Sequence, residues 1–339
     1  MASFRIALDV MGGDHAPQAT LAGAKEALDQ WPDLRLLLVG DEARLKPLLA
    51  QHGLAGTDRI ELVHAATVVE FEDEPMAILK AKKDSSIRVA AQLVREGRAD
   101  GMVSMGHTGA AMMASTLVIG KLDGVDRPGL ACPMPNPKGN PTVFIEVGAN
   151  IDSRPEHLAG FAVMGAVYAE QVLGVANPRV GMLSVGEEDS KGTEVTLEAA
   201  ALLRQTDLNF QGNAEGRDIW NGRFDVIVCD GFVGNVVLKS AEGMAKLIKD
   251  GLRGALTSGL RAKLGAWLVK PALKAFFKQL DYREYGGLPL LGIKGVSVIG
   301  HGSSDAHAVK NGIGAAQRAL EGRLHERIQA RIAQLKPQA

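Results

Sequence analysis

Five times in this chain a short apolar run ends in a cluster of Gly, Asp, Asn, Ser or Thr, and a helix-like segment follows. Arg5–Val10 runs into Met11-Gly12-Gly13-Asp14-His15-Ala16-Pro17, and Gly101–Met105 into Gly106-His107-Thr108-Gly109. Val180–Val185 leads to Gly186-Glu187-Glu188-Asp189-Ser190-Lys191-Gly192. Val226–Cys229 leads to Asp230-Gly231-Phe232-Val233-Gly234-Asn235, and Val296–Ile299 to Gly300-His301-Gly302-Ser303-Ser304. Continuous Val/Ile/Leu runs of this length suit strands covered on both faces. Their alternation with helical segments predicts an α/β fold rather than α+β. In an open, largely parallel sheet the loops gather at one edge beside helix N-termini, where small anions bind.

Strands are predicted at Arg5–Val10, Leu34–Val39, Arg59–Val63, Gly101–Met105, Thr142–Val147, Val180–Val185, Val226–Cys229 and Val296–Ile299. Helices are predicted at Leu21–Gln30, Ile87–Glu96, Ala159–Leu173, Val195–Gln205 and Val236–Ile248, and Pro133–Pro141 reads as a surface loop. No linker separates independent domains, so one continuous sheet or two intertwined lobes is expected. Glycine takes 40 of the 339 positions, more than the usual ~7%, and the excess falls mostly in the strand–helix loops. A formal net charge of −1 argues against whole-surface attraction to nucleic acid. Two cysteines, Cys132 and Cys229, leave no disulfide framework or cysteine zinc site, which fits a reducing cytosol. The N-terminus does not resemble a signal peptide. Gly160–Ala176 carries Glu170 and Gln171 and is shorter than the ~20 residues of a membrane span.

Gly251–Leu280 is set apart by charge. It lacks acidic residues and carries Arg253, Arg261, Lys263, Lys270, Lys274 and Lys278. Leu256, Leu260, Leu264, Trp267 and Leu268 recur at helical spacing, and Leu273, Phe276, Phe277 and Leu280 follow an expected break at Pro271. Such a basic amphipathic hairpin fits an anionic membrane surface, an acidic protein, its own core or a dimer mate.

Nucleotide signatures are missing: no G-x-G-x-x-G or Walker loop follows any strand, and there is no G-x-S-x-G or H-E-x-x-H. His301 and His307 lie six apart, which does not put both on one helix face as a metal pair. The loops do hold phosphate-sized donors. Gly12-Gly13 offer amides, Asp14 can cap the next helix, and Thr108-Gly109 and Ser303-Ser304 set hydroxyls at helix starts. Lys191 is the one cation in a strand-end loop. Asp9, inside a strand, needs hydrogen bonds and is expected to organise the neighbouring loop, and the same is expected of Asp230. Cys229 reads as packing rather than as a nucleophile, and His15 and His107 read as helix-capping residues.

The motifs together resemble one family. Ile6-Ala7-Leu8-Asp9-Val10-Met11-Gly12-Gly13-Asp14-His15-Ala16-Pro17 is similar to the opening of the bacterial PlsX-type phosphate acyltransferases. The resemblance continues through Lys82-Lys83-Asp84-Ser85-Ser86, Gly106-His107-Thr108-Gly109-Ala110, Gly148-Ala149-Asn150 and Gly186-Glu187-Glu188 with Lys191-Gly192. It extends to Gly212-Asn213 with Glu215-Gly216-Arg217-Asp218, Cys229 to Asn235, Gly286-Gly287 with Pro289-Leu290-Leu291-Gly292, and His301-Gly302-Ser303-Ser304. Two positions depart from the family pattern: His107 stands for Asn, and Glu146 for Asp.

The resemblance implies a homodimer with a three-layer α/β/α fold of the isocitrate/isopropylmalate dehydrogenase type, built on one mixed, largely parallel sheet. Two intertwined lobes of residues 1–339 would share that sheet around a cleft. The implied reaction moves a fatty acyl group from acyl carrier protein to inorganic phosphate, and a membrane glycerol-3-phosphate acyltransferase then uses the acyl phosphate for phospholipid synthesis. The implied protein is cytoplasmic and peripherally membrane-associated, needs no cofactor or metal, and binds no nucleic acid. Lys191, Ser303, Ser304 and the Gly12-Gly13 amides are assigned to phosphate. Thr108, Asn235 or His301 would donate to the thioester carbonyl, and His301 would protonate the thiolate. Asp14, His107, Gly109, Asn150, Glu187, Asp230, Gly231 and Gly302 complete the expected phosphate and thioester site. Rival readings are an NAD- and metal-dependent decarboxylating dehydrogenase on the same fold and a non-catalytic phosphate-ligand binding protein.

Overall fold

The computed structural model describes residues 3–279 and 284–335; Met1, Ala2 and Leu280, used in the sequence reading, lie outside the described residues. The chain runs β1 (Arg5–Asp9), α1 (Gln18–Gln30), β2 (Arg35–Gly40), α2 (Glu42–Gln51), β3 (Ile60–His64), α3 (Ser86–Arg95), β4 (Gly101–Ser104) and α4 (Thr108–Ala114). It continues through β5 (Gly129–Met134), β6 (Thr142–Ile145), α5 (Pro155–Gln171), β7 (Val180–Leu183), α6 (Glu194–Leu203), β8 (Phe210–Ala214) and β9 (Val226–Val228). It then forms α7 (Gly231–Thr257), α8 (Leu260–Gln279), β10 (Leu288–Leu291), β11 (Val296–Ile299), α9 (Ala306–Glu321) and α10 (Leu324–Leu335).

Among the described residues, eleven strands form one sheet in the order β3-β2-β1-β4-β11-β10-β5-β6-β9-β7-β8. The pairings are parallel except β11–β10, β10–β5 and β5–β6, which are antiparallel. The alternation of side chains explains why the apolar runs are unbroken. On β1, Ile6 and Leu8 enter one core with α1, α5 and α9, while Ala7 enters another with α3 and α4. On β6, Val143 and Ile145 face the first core and Phe144 the second. Both faces are covered, so neither can carry polar residues at every second position. The result is the expected layered, mixed, largely parallel α/β architecture.

Several expectations need correction. β5, β8 and β10 were not predicted. β5 and β10 contain Pro133 and Pro289, which mask a strand pattern, and β8 (Phe-Gln-Gly-Asn-Ala) is an edge strand with little apolar content. The surface loop read at Pro133–Pro141 therefore starts later, because Pro133 and Met134 belong to β5 and are buried. The hairpin turns at Ser258-Gly259, not at Pro271, which sits inside α8. Helix α7 begins at Gly231, five residues before the expected Val236, because Asp230 caps it. Among the described residues no helix is long and apolar enough to cross a membrane.

Candidate functional site

The three antiparallel pairings decide where the loops go. With β1, β4 and β11 taken as pointing up, β10 points down, β5 up, and β6, β9 and β7 down. The loops after β1, β4 and β11 thus leave one edge of the sheet, and those after β6, β9 and β7 leave the other. The expectation that all five gather at one edge is corrected. A run of apolar residues does not encode strand direction, so the reversal could not be read locally.

At the first edge, the expected residues come together as backbone. Asp9 is fully buried at the end of β1. Its carboxylate accepts from the Ser104 hydroxyl at 2.7 Å and the Met11 amide at 3.2 Å. Burial pushes its carboxyl above the ordinary value, and those hydrogen bonds offset the rise only in part. A side chain at Gly12 would stand 2.5 Å from the Asp9 carboxylate and 2.8 Å from the Gly106 amide. The loops after β1 and β4 therefore touch backbone to backbone. Gly13, at φ +106°, faces the Gly302 and Met105 carbonyls, each 3.1 Å from where its Cβ would lie. The Asp14 amide donates to the Gly302 carbonyl at 2.8 Å, joining the loop after β11.

Asp14 does not cap α1, whose N-cap position is Pro17 without a side-chain bond. His107 does cap α4: its Nδ1 accepts from the Ala110 amide at 3.2 Å. That bond leaves Nε2 to carry the proton and donate to the Asp73 carbonyl at 3.0 Å. Thr108 and Gly109 open the helix, and Pro75 packs against Gly109. In the loop after β11, His301 Nδ1 meets the Ser303 hydroxyl at 2.8 Å and accepts from the Ser303 amide at 3.2 Å. Ser303 and Ser304 stand ahead of the α9 cap rather than at the helix start, because Asp305 accepts from the Ala308 amide. Ser304 is buried, whereas His301 and Ser303 are exposed.

A second cluster is built at the opposite edge around Glu146. This buried carboxylate accepts from the Gly148 amide at 2.5 Å, the Ala149 amide at 2.6 Å, the Asn150 side chain at 2.6 Å and the Leu130 amide at 3.3 Å. Burial raises its pKa against the pull of those donors. Asn150 also donates to the Pro128 carbonyl and accepts from the Gly231 amide. Asp230 caps α7 through Phe232 and Val233, as expected. Asn235 is exposed on the first turns of α7, beside Gly148. Cys229 is buried with its thiol on the Glu146 carbonyl, and burial pushes its pKa well above the ordinary thiol value. It is packing, as read.

Lys191 and Glu187 lie in a third group after β7. The Lys191 carbonyl accepts from Ser184 and Asn213, so its loop is fixed while its side chain is exposed. Glu187 pairs with Arg217 at 3.0 Å and Arg223 at 2.7 Å, which hold its carboxyl below the usual range. β7 is five strand steps from β11, about 24 Å at ~4.8 Å per step. Lys191 therefore does not stand beside Gly12, Thr108 and His301 in this chain. Asn235 likewise follows β9, four steps from β11.

The sequence reading assigned no site role to Lys82 and did not single out Phe71 or Asp73; all three lie over the first edge. The ring of Phe71 stacks on His107 at 6.4 Å, and its Cζ is 2.6 Å from where a Gly302 Cβ would be. No periodic pattern marks this segment, and its only signal was the Lys82–Ser86 string.

A family profile described as "Fatty acid synthesis protein" matches residues 4–327. The chain is 48% identical over 328 residues to a "Phosphate acyltransferase" of Heliobacterium modesticaldum, covering 97% of each. It is 46% identical over 334 residues to a protein of the same name from Aquifex aeolicus, covering 98% of each. The chain belongs to the phosphate acyltransferase family. Among solved structures, a phosphotransacetylase from Streptococcus pyogenes aligns with TM-score 0.64 at 19% identity, over 94% of each chain. A 4-hydroxythreonine-4-phosphate dehydrogenase from Klebsiella pneumoniae aligns with TM-score 0.54 at 13% identity, over 93% of this chain and 99% of that one. At these identities the likeness is one of fold. For the family member described here, it supports the layered mixed sheet.

Proposed function

We propose that this chain transfers a fatty acyl group from the thioester of acyl carrier protein to inorganic phosphate. The acyl phosphate released would serve a membrane glycerol-3-phosphate acyltransferase at the start of phospholipid synthesis. The observation that carries the reading is 48% identity over 97% of the chain to a protein named phosphate acyltransferase. We further read the protein as a cytoplasmic homodimer of the isocitrate/isopropylmalate dehydrogenase type, its two lobes sharing the sheet, and as peripheral to the membrane through the α7–α8 hairpin.

The chemistry asks for positioning more than for activation. A thiolate is a good leaving group because thiols have pKa values of about 8.5. Phosphate, with a second pKa near ~6 by analogy with its monoesters, is a competent nucleophile at neutral pH. The protein has to bind phosphate, hold it in line with the carbonyl, and meet the oxyanion that forms. The first edge offers the parts: the Gly12-Gly13 backbone, the Thr108 hydroxyl at the start of α4, and the exposed His301–Ser303 pair. A phosphate oxygen attacks the carbonyl carbon, the C–S bond breaks, and His301 gives the departing sulfur its proton. Lys191 and Asn235, from the other edge, we assign to the acyl donor.

The deciding experiment mixes acyl-acyl carrier protein and phosphate and traps acyl phosphate with hydroxylamine, with acyl-coenzyme A as the comparison donor. Phosphate-dependent hydroxamate is the expected result. Its absence would leave a phosphate-binding protein without this activity.

A further inference from the structure

We propose that Phe71 is a specificity-determining residue that shuts water out of the acyl-transfer site, so that phosphate and not water takes the acyl group. The inference rests on the reaction proposed above and adds a wall to its site.

Residues 67–85 leave the body and return to the same place. The Thr67 carbonyl accepts from the Ser86 amide at 3.1 Å, and the Thr67 hydroxyl donates to the Asp84 carboxylate at 3.0 Å. A surface loop with its ends joined in this way moves or stays as a unit. Inside it, the Lys82 ammonium donates to the Val68 carbonyl at 2.7 Å and the Asp73 carboxylate at 2.5 Å. Asp73 also accepts from the Glu70 amide at 2.7 Å, which fixes the turn that carries Phe71. Ile78, fully buried, pins the far side of the loop to the core. The loop is anchored at its ends, its middle and its base.

Its tip is the exception. Phe71 is 51% exposed, although a ring of that size would gain by burial. The ring lies on the first edge of the sheet: stacked on the cap of α4 and against Gly302, where any side chain would collide with it. The Asp14 carboxylate is 3.2 Å from that same point. His107 supports the tip twice, by its ring face and by the Nε2–H bond to Asp73. The ring thus stands against His107 and Gly302, at the place where the strand-end loops meet. An apolar ring there cannot hydrogen-bond a water, whereas phosphate can meet the Thr108 hydroxyl at the start of α4.

Water and phosphate compete for the same carbonyl. Attack by phosphate forms a C–O bond, breaks the C–S bond and gives acyl phosphate and thiol. Attack by water breaks the same bond and gives fatty acid and thiol. The test measures both products from acyl-acyl carrier protein, with and without phosphate, for the native chain, Phe71→Ala and Phe71→Leu. Phe71→Ala is expected to raise the fatty acid to acyl phosphate ratio about tenfold and to speed thioester hydrolysis without phosphate; Phe71→Leu should fall between. Asp73→Asn, which frees the tip without touching the ring, should shift the ratio the same way. General loss of structure would lower both products together and leave the ratio unchanged. An unchanged ratio in Phe71→Ala, with hydroxamate still formed, overturns the wall. A native chain that forms no acyl phosphate removes the reaction and the wall with it.

Discussion

At Gly12 a methyl group would lie 2.5 Å from a buried carboxylate and 2.8 Å from a neighbouring amide, and neither neighbour is a flexible side-chain end. Gly12→Ala therefore has to spread the loops after β1 and β4. We expect a loss of about 2 kcal/mol in unfolding free energy, read by denaturant unfolding, together with a fall in turnover. A variant as stable and active as the native chain would show that the loops are not held in contact. The neighbouring acid was legible beforehand: a charge between Leu8 and Val10 had to be satisfied, and Asp9 is. Asp14 was misread, because residues 14–17 form a turn before α1 starts and the N-cap position falls on Pro17. Two further substitutions separate the edges. His301→Ala is expected to lower turnover about 100-fold, with little change in KM for the donor. Lys191→Ala is expected to raise KM for the acyl donor and to spare KM for phosphate. Steady-state kinetics with each substrate varied checks both, and a rise in phosphate KM for Lys191→Ala would mean that this lysine reaches the first edge of a second copy.

Among elements, the parallel ladder between β7 and β9 is reinforced by one ion pair just before the two strands. Arg179 Nε and Nη2 meet the two Asp225 oxygens at 2.9 Å each, and the Arg179 amide adds a bond of 2.8 Å. Burial alone would raise the Asp225 carboxyl, but Arg179 outweighs it and the group stays below its ordinary 3.8. A depressed carboxylate stabilises the fold above its unfolded pKa, and that contribution is lost as pH falls through the folded value. Asp225→Asn should cost about 1–2 kcal/mol at neutral pH and flatten the loss of stability expected of the native chain as pH falls below 3.8. Thermal unfolding from about pH 2 to 7 reads the difference; parallel curves would remove the linkage. The apolar runs named most of the strands, because a strand buried on both faces has few alternatives. β5 and β10 stayed hidden behind prolines, and those two strands reverse the sheet. The same omission hid the site's division between two edges.

For the molecule as a whole, two buried acids organise opposite edges of one sheet: Asp9 under the loops after β1 and β4, and Glu146 under the loops after β6 and β9. The α7–α8 hairpin starts at the Glu146 edge, where Asp230 caps α7, and most of its length is exposed. Apolar side chains are left open along it, with Leu260 at 87%, Leu264 at 63%, Trp267 at 70% and Leu268 at 66% exposure. These four recur at helical spacing on α8, among Arg261, Lys263 and Lys270, with no acid from Gly251 to Gln279. An apolar stripe flanked by cations gains from anionic lipid twice, by burying the stripe and by charge. Replacing Leu264 and Trp267 by Ser removes up to about 2 kcal/mol of transfer free energy at each position. The double variant should therefore bind vesicles of phosphatidylglycerol and phosphatidylcholine about tenfold or more weakly, measured by co-sedimentation. Because charge alone remains, its residual binding should vanish at high salt, while the native chain keeps an apolar, salt-resistant share. Unaltered vesicle binding with a raised KM for acyl carrier protein would assign the same stripe to the carrier instead of the lipid.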